Sequence, residues 1–210
     1  MKILIVDDHD IVRFGLQQLL AQAFPNLECA EANTGQSALD QIEDTRWDVV
    51  VLDLTLPDLH GLEVLKRIKI VRPALPVIVL SFHSAEHFAM RAYRNGASAY
   101  LAKDSVTEEL VAAIKQVVDG RKYVSPSFAE KIADRLGRPL DEPPPHDRLT
   151  DRELEVLSLL AKGKTPSEIA GRLILSVKTV SAYRSRILEK LHLTTTAELI
   201  RYALDHNLIE

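Results

Sequence analysis

The sequence predicts an α/β domain, a doubly wound five-stranded parallel sheet, followed by an all-α domain of four helices. Three observations predict it. Up to about residue 120, short aliphatic runs alternate with longer amphipathic stretches. A proline-rich break follows, and the last third of the chain has helical spacing throughout, with repeated helix-start signals.

The aliphatic runs are Ile3–Val6, Leu27–Ala32, Val49–Leu52, Val77–Leu80 and Ala99–Ala102. They are apolar without alternation, as strands buried on both faces of a parallel sheet are. Between them, sets such as Ile11, Leu16, Leu19 and Leu20, or Leu62, Leu65 and Ile68, mark helices that cover the sheet. A last helix, Val106–Val118, opens on Ser105-Val106-Thr107-Glu108, a capping-box pattern. Residues 121–147 then read as a linker: Gly137, Pro139, Asp141, Glu142 and Pro143-Pro144-Pro145 favour an extended, solvated chain, with a short helix near Phe128–Leu136 ahead of them. From 148 to 210, three helix starts carry T-x-x-E: Thr150 to Glu153, Thr165 to Glu168 and Thr195 to Glu198. Pro166 fits the first helical position, and Ser176 caps the helix that starts at Val177 after a turn at Ile174-Leu175.

The composition is that of an ordinary globular chain, 46% hydrophobic and 27% charged over 210 residues. No apolar run approaches the roughly 20 residues of a membrane span, so no membrane partner is expected. The run Met1–Val6 reaches Asp7 and Asp8 too early for a signal peptide, and a single cysteine, Cys29, supports no disulfide framework, so the expected compartment is the cytoplasm. The net charge of −4 is uneven. Residues 1–124 carry 13 basic and 17 acidic groups, residues 146–210 carry 10 and 9. The C-terminal part is thus less acidic than the rest without being a basic domain.

Four strand ends carry chemistry. Asp7 and Asp8 follow the first strand, Asp53 ends the third, Ser81 ends the fourth and Lys103 follows the fifth. In an open α/β sheet the ligand site lies outside the carboxyl ends of the strands, so these residues are expected to converge. Taken singly, each is also an ordinary cap or solvated residue; together they describe a pocket. Three crowded carboxylates repel and call for a divalent cation, and oxygen ligands favour Mg²⁺. With Lys103 as a fixed charge and Ser81 as a hydroxyl donor, Asp53 can act as nucleophile in phosphoryl transfer. His83 and His87 sit four apart without further ligands and read as surface residues; His83, two residues after Ser81, is placed to tune the lifetime of a phosphoryl group. Trp47 and Cys29 read as packing residues.

In the C-terminal part, Glu168–Leu173, a turn and Val177–Leu191 have helix-turn-helix spacing. Val180, Ile187 and Leu191, flanked by Leu188, suit a core, while Lys178, Thr179, Ser181, Ala182, Arg184, Ser185 and Arg186 form a basic face of small residues. On pattern alone this fits a DNA-binding module or a generic helical hairpin.

The runs Ile5-Val6-Asp7-Asp8-His9, Val51 to Gly61, Leu80-Ser81 and Ala99 to Lys103 resemble the receiver domains of two-component response regulators, which have a flavodoxin-like fold. Leu149 to Leu157, Lys162 to Ala170 and Ser176 to Ile187 resemble the LuxR-type (GerE) helix-turn-helix. The pairing is that of the NarL/FixJ family of response regulators. The resemblance implies that Asp53 accepts a phosphoryl group from a sensor histidine kinase. It implies that Asp8 ligates Mg²⁺ directly and Asp7 mainly through water, that the Thr55 carbonyl is a further ligand beside Asp53, and that Ser81 and Tyr100 form the switch pair. It implies a homodimer on promoter DNA formed through the last helix, with Leu199 and Tyr202 or Ala203 pairing. It places base reading at Ser181, Ala182 and Ser185, with Lys178, Arg184 and Arg186 at phosphates. Asp104 stands where many receivers have proline after the lysine, which leaves that loop's geometry open. Two other readings compete: a constitutive DNA-binding protein with a degenerate receiver, and an enzymatic output. No GxxxxGK[ST] loop supports the latter, and slow self-phosphorylation and self-dephosphorylation are the only chemistry expected.

Overall fold

The computed structural model describes residues 1–81, 86–136, 144–206 and 208–209. His83 and the linker residues 137–143 lie outside them, as do the side chains of His87, Ser105 and Glu108. The chain divides into two compact units, Met1–Lys131 and Ile132–Glu210.

The first unit runs β1 (Lys2–Val6), α1 (Asp10–Ala23), β2 (Glu28–Ala32), α2 (Gly35–Asp44), β3 (Val49–Asp53), α3 (Gly61–Val71), β4 (Val77–Ser81), α4 (Glu86–Arg94), β5 (Ala99–Ala102), a 3-10 turn (Lys103–Ser105), α5 (Val106–Val118) and the start of α6 (Pro126–Leu136). The strands form one sheet in the order β2-β1-β3-β4-β5, every neighbouring pair parallel. The apolar runs mark all five strands, and β3 and β4 are buried along their whole length. Edge strand β2, which starts at Glu28 rather than Leu27, is the half-exposed one.

Alternate residues of the sheet, among them Ile3, Ile5, Val49, Val51, Ile78 and Leu80, pack with Leu16 and Leu20 of α1 and Leu110, Ile114 and Val117 of α5. Each such side chain contributes about 1.5–3 kcal/mol of burial. Trp47 donates from Nε1 to the Gln41 carbonyl at 3.0 Å, a packing role, and Cys29 is half-buried in β2.

The sheet register positions the site. Val6 pairs with Leu52, so the next residues, Asp7 and Asp53, end adjacent strands side by side. Ser81 pairs with Ala102, directly before Lys103. The order reverses at β1, flanked by β2 and β3, and this is where such sheets bind ligands. The loop under Asp53 closes through Gly61, whose N–H donates to the Leu54 carbonyl at 2.8 Å. A Cβ there would lie 2.3 Å from the Asp53 carbonyl oxygen, so only glycine allows this approach. After Lys103 the chain turns in a 3-10 helix, and no peptide among the described residues is cis, which settles the geometry at Asp104.

The second unit contains a 3-10 turn (Pro145–Arg148), α7 (Asp151–Ala161), α8 (Pro166–Arg172), α9 (Val177–Leu191) and α10 (Thr196–Asp205). All three T-x-x-E signals form complete capping boxes, and Ser176 accepts from the Thr179 N–H. The helix-turn-helix corner passes through Ile174 at φ 48°, a left-handed conformation costly for a β-branched residue. It is held by the Leu175 N–H on the Ala170 carbonyl (2.9 Å) and by Arg152, which donates to the Leu173 carbonyl at 3.1 Å.

Candidate functional site: an acid pocket and a recognition helix

Three charges from separate strand ends meet in the first unit. Lys103 Nζ lies 2.6 Å from Asp7 Oδ2 and 2.8 Å from Asp53 Oδ2, with all three residues buried. A lysine between two buried carboxylates offsets part of their repulsion and leaves one negative charge over. Burial, and then Asp7, push the Asp53 carboxyl up from 3.8 to about 6, against the pull of Lys103 and the Thr55 backbone N–H.

The pocket fits a hard divalent cation. Asp7, Asp8, His9 and Asp53 each bring one ligand atom within 4.8 Å of the others. Asp8 Oδ1 and Asp53 Oδ1 are buried atoms without a hydrogen-bond donor, which costs stability unless a cation or other charge meets them. His9 Nδ1 stands 2.7 Å from Asp8 Oδ1, in a geometry that makes no hydrogen bond.

Ser81 and Tyr100 are both buried, and their side chains hydrogen-bond to each other. Burial first, and the nearby Asp53 charge, raise the Tyr100 hydroxyl well above its usual range. The Tyr100 N–H donates to the Tyr93 hydroxyl (3.2 Å), which itself donates to the Tyr123 carbonyl (2.7 Å). The Tyr93 ring stacks on Phe128 of α6, centroids 5.6 Å apart. The backbone of β5 at Tyr100, whose side chain bonds Ser81, is thus linked through Tyr93 to the first turn of α6.

Sequence reasoning missed three residues here. Arg13, buried, donates to the Asp7 carbonyl at 2.7 Å and to Glu31 at 2.8 Å, and pairs with Asp10, pinning the end of β1. His9 donates its backbone N–H to Asp7 Oδ1 at 2.9 Å. Tyr93 is the third. Only His9 carried a signal, adjacency to the acid pair.

In the second unit, Val180, Ile187, Leu188 and Leu191 are buried on α9, as the spacing predicts. Lys178, Ser181, Ala182, Ser185 and Arg186 are exposed. Thr179 is half-buried, its hydroxyl 2.8 Å from Ser176 Oγ, and Ser185 donates its hydroxyl to the Ser181 carbonyl at 3.1 Å. Arg184 is also half-buried; its Nε donates to Thr196 Oγ1 at 2.7 Å, tying α9 to α10. The expected pairing of Leu199 and Ala203 through α10 needs correction. Leu199 and Ala203 are completely buried in their own unit, where α10 packs on α7, and Tyr202 binds His146 Nδ1 at 3.0 Å. Leu204 is a large apolar residue of α10 that faces solvent.

The family model "Response regulator receiver domain" matches residues 3–115, and "Bacterial regulatory proteins, luxR family" matches residues 147–203. This chain belongs to the NarL/FixJ family of two-component response regulators. The response regulator GacA of Pseudomonas aeruginosa is 34% identical over 210 residues, all of this chain and 98% of that one. UvrY of Escherichia coli K12 is 31% identical over 208 residues, 99% of this chain and 95% of that one. Among solved structures, RcsB from Salmonella enterica serovar Typhimurium, bound to promoter rprA in the presence of a phosphomimetic, shares 26% identity over 96% of this chain and 98% of that one, with a TM-score of 0.62. This response regulator is a transcription factor with a receiver and a LuxR-type module. No described helix is long and apolar enough to cross a membrane.

Proposed function

We propose that phosphorylation of Asp53 by a sensor histidine kinase controls this regulator's dimerisation and its sequence-specific binding of promoter DNA, in the cytoplasm. The observation that carries the reading is the buried Asp7–Lys103–Asp53 constellation, with Asp53 Oδ1 free of any hydrogen-bond donor. An Asp53 oxygen attacks the phosphorus of a phosphohistidine as the P–N bond breaks and the imidazole leaves. Lys103 holds the carboxylate in place and offsets charge that grows on the phosphoryl oxygens. Asp7, Asp8, Asp53 and the Thr55 carbonyl would hold Mg²⁺, which when bound supplies further neutralisation of that charge.

Ser81 and Tyr100 read the outcome. Their hydroxyls are hydrogen-bonded together beside Asp53, so a Ser81 hydroxyl that turns to a phosphoryl oxygen must change its bond to Tyr100. Tyr93 carries that change to Tyr123 and Phe128. At the DNA, Ser181, Ala182 and Ser185 read bases, while Lys178 and Arg186 meet phosphates. Arg184, held by Thr196, and Thr179, held by Ser176, orient the reading face. Because the base-reading positions are uncharged, DNA shape supplies part of the specificity.

The test is intact-mass measurement after incubation with a small-molecule phosphodonor, with and without Mg²⁺. One phosphoryl group on the wild type in Mg²⁺, and none on Asp53→Asn, is expected. Equal labelling of the variant would place the chemistry elsewhere.

A further inference from the structure

We infer that Arg148 and Arg186 form a seat for one DNA-backbone phosphate beside the recognition helix, a contact that extends the DNA-binding reading on which it rests. The two side chains line an open cleft of about 350 Å³ together with Glu189, Lys190 and His192. Among the described residues, neither arginine has an ion pair or hydrogen bond through its guanidinium, although most charged groups nearby are committed. Lys190 holds Glu153 Oε2 at 2.6 Å, Arg152 holds Glu155 at 2.7 Å, and Arg184 holds Thr196. Two uncommitted guanidinium groups facing one cleft are a planar, multidentate receptor for a phosphate. Glu189 lines the same cleft without pairing to either arginine, so with Lys190 neutralised by Glu153 the cleft carries the charge of one cation in excess.

Place and rigidity favour DNA over a free anion. Arg186 follows Ser185 and lies one turn beyond Ala182, so the cleft begins where the exposed reading face of α9 ends. A helix in the major groove has a phosphate strand along that flank. Arg148 comes from a different element, the 3-10 turn Pro145–Arg148, which is fixed by buried His146 and its 3.0 Å contact with the Tyr202 hydroxyl. The cleft is open and lacks a loop of backbone N–H groups of the kind that encloses a free phosphate. The backbone of duplex DNA, presented along a surface, is the ligand that suits it.

The experiment measures full-length wild type, Arg148→Gln, Arg148→Gln/Arg186→Gln and Arg148→Lys on duplexes of several unrelated sequences, over a range of KCl concentrations. Arg201→Gln, an exposed residue paired with Asp205 elsewhere in the unit, is the control. Each lost phosphate contact lowers the slope of log K against log salt by about 0.9. Because both arginines serve one phosphate, the double glutamine variant should lose about one unit of slope and the single variant part of that unit, equally on every sequence, while the lysine and Arg201 variants keep the wild-type slope. An unchanged slope in Arg148→Gln overturns the inference, and a slope lost in the lysine variant too assigns Arg148 to the turn's geometry instead. A second series replaces chloride by inorganic phosphate at equal ionic strength. If phosphate weakens wild-type binding more than chloride does, and Arg148→Gln removes that difference, the seat belongs to the free anion. A wild type that binds no duplex overturns the DNA-binding reading itself, an outcome distinct from the others.

Discussion

The acid pocket and the recognition face solve opposite problems. The pocket gathers Asp7, Asp53 and Lys103 from strand ends up to 96 residues apart and removes them from water. The recognition face takes its residues from one helix and leaves Lys178, Ser181, Ala182, Ser185 and Arg186 in solvent. Burial makes the pocket's few charges strong and interdependent, because each desolvated group depends on the others. Exposure makes the face weak residue by residue, and on the proposed reading its effect comes from summed phosphate contacts and fit. On the proposed reading, the contrast teaches that substitutions in the pocket should act on stability and chemistry together, while those on the face should act on binding alone.

The sharpest way to break this comparison is Lys103→Met. It leaves Asp7 and Asp53 buried without their shared cation, a loss of roughly 3–5 kcal/mol of stability for a broken buried pair. Denaturant unfolding of the receiver in chelator should show it, and added Mg²⁺ should recover part of it. A variant as stable as wild type in chelator would mean that the pocket is wetter than its burial implies.

Asp53→Asn comes next and runs the other way. The Asp53 carboxyl is raised from 3.8 to about 6, chiefly by burial, so the folded chain holds this proton more tightly than the unfolded chain. Below the unfolded value Asp53 is neutral in both states. As pH rises through about 6, ionisation in the fold costs stability. In cation-free buffer the asparagine variant should be more stable than wild type at pH 7, by about 1–3 kcal/mol, and the gain should vanish below about pH 4. A gain independent of pH would contradict the electrostatic account.

The smallest effect is local to the DNA-binding unit. Thr150→Ala removes the cap of α7, whose capping box includes Glu153 Oε2 on the Thr150 N–H at 2.7 Å. It should cost about 1 kcal/mol. Unlike the pocket variants, it should be indifferent to Mg²⁺ in a thermal scan.

What the sequence made legible divides along the same line. Asp7, Asp8, Asp53, Ser81 and Lys103 were readable because each follows an apolar run, and a parallel sheet brings strand ends together whatever their separation. The capping boxes were readable because T-x-x-E is local. Arg13 was not, since its partners Glu31 and the Asp7 carbonyl belong to other elements and no spacing rule links them. Tyr93 was hidden for the same reason, its contacts being the backbones at Tyr100 and Tyr123. Leu199 and Ala203 were misread because an apolar stripe on α10 does not say whether its own unit or a second copy covers it.

The most direct test of the central claim, that the pocket controls the face, is the affinity of full-length protein for a duplex selected from random-sequence DNA, with and without phosphodonor in Mg²⁺. Wild type should tighten by roughly tenfold or more, within the usual range of coupling between two sites, and Asp53→Asn should not change. An equal gain in the asparagine variant, or no gain in a wild type shown to be phosphorylated, would contradict the account.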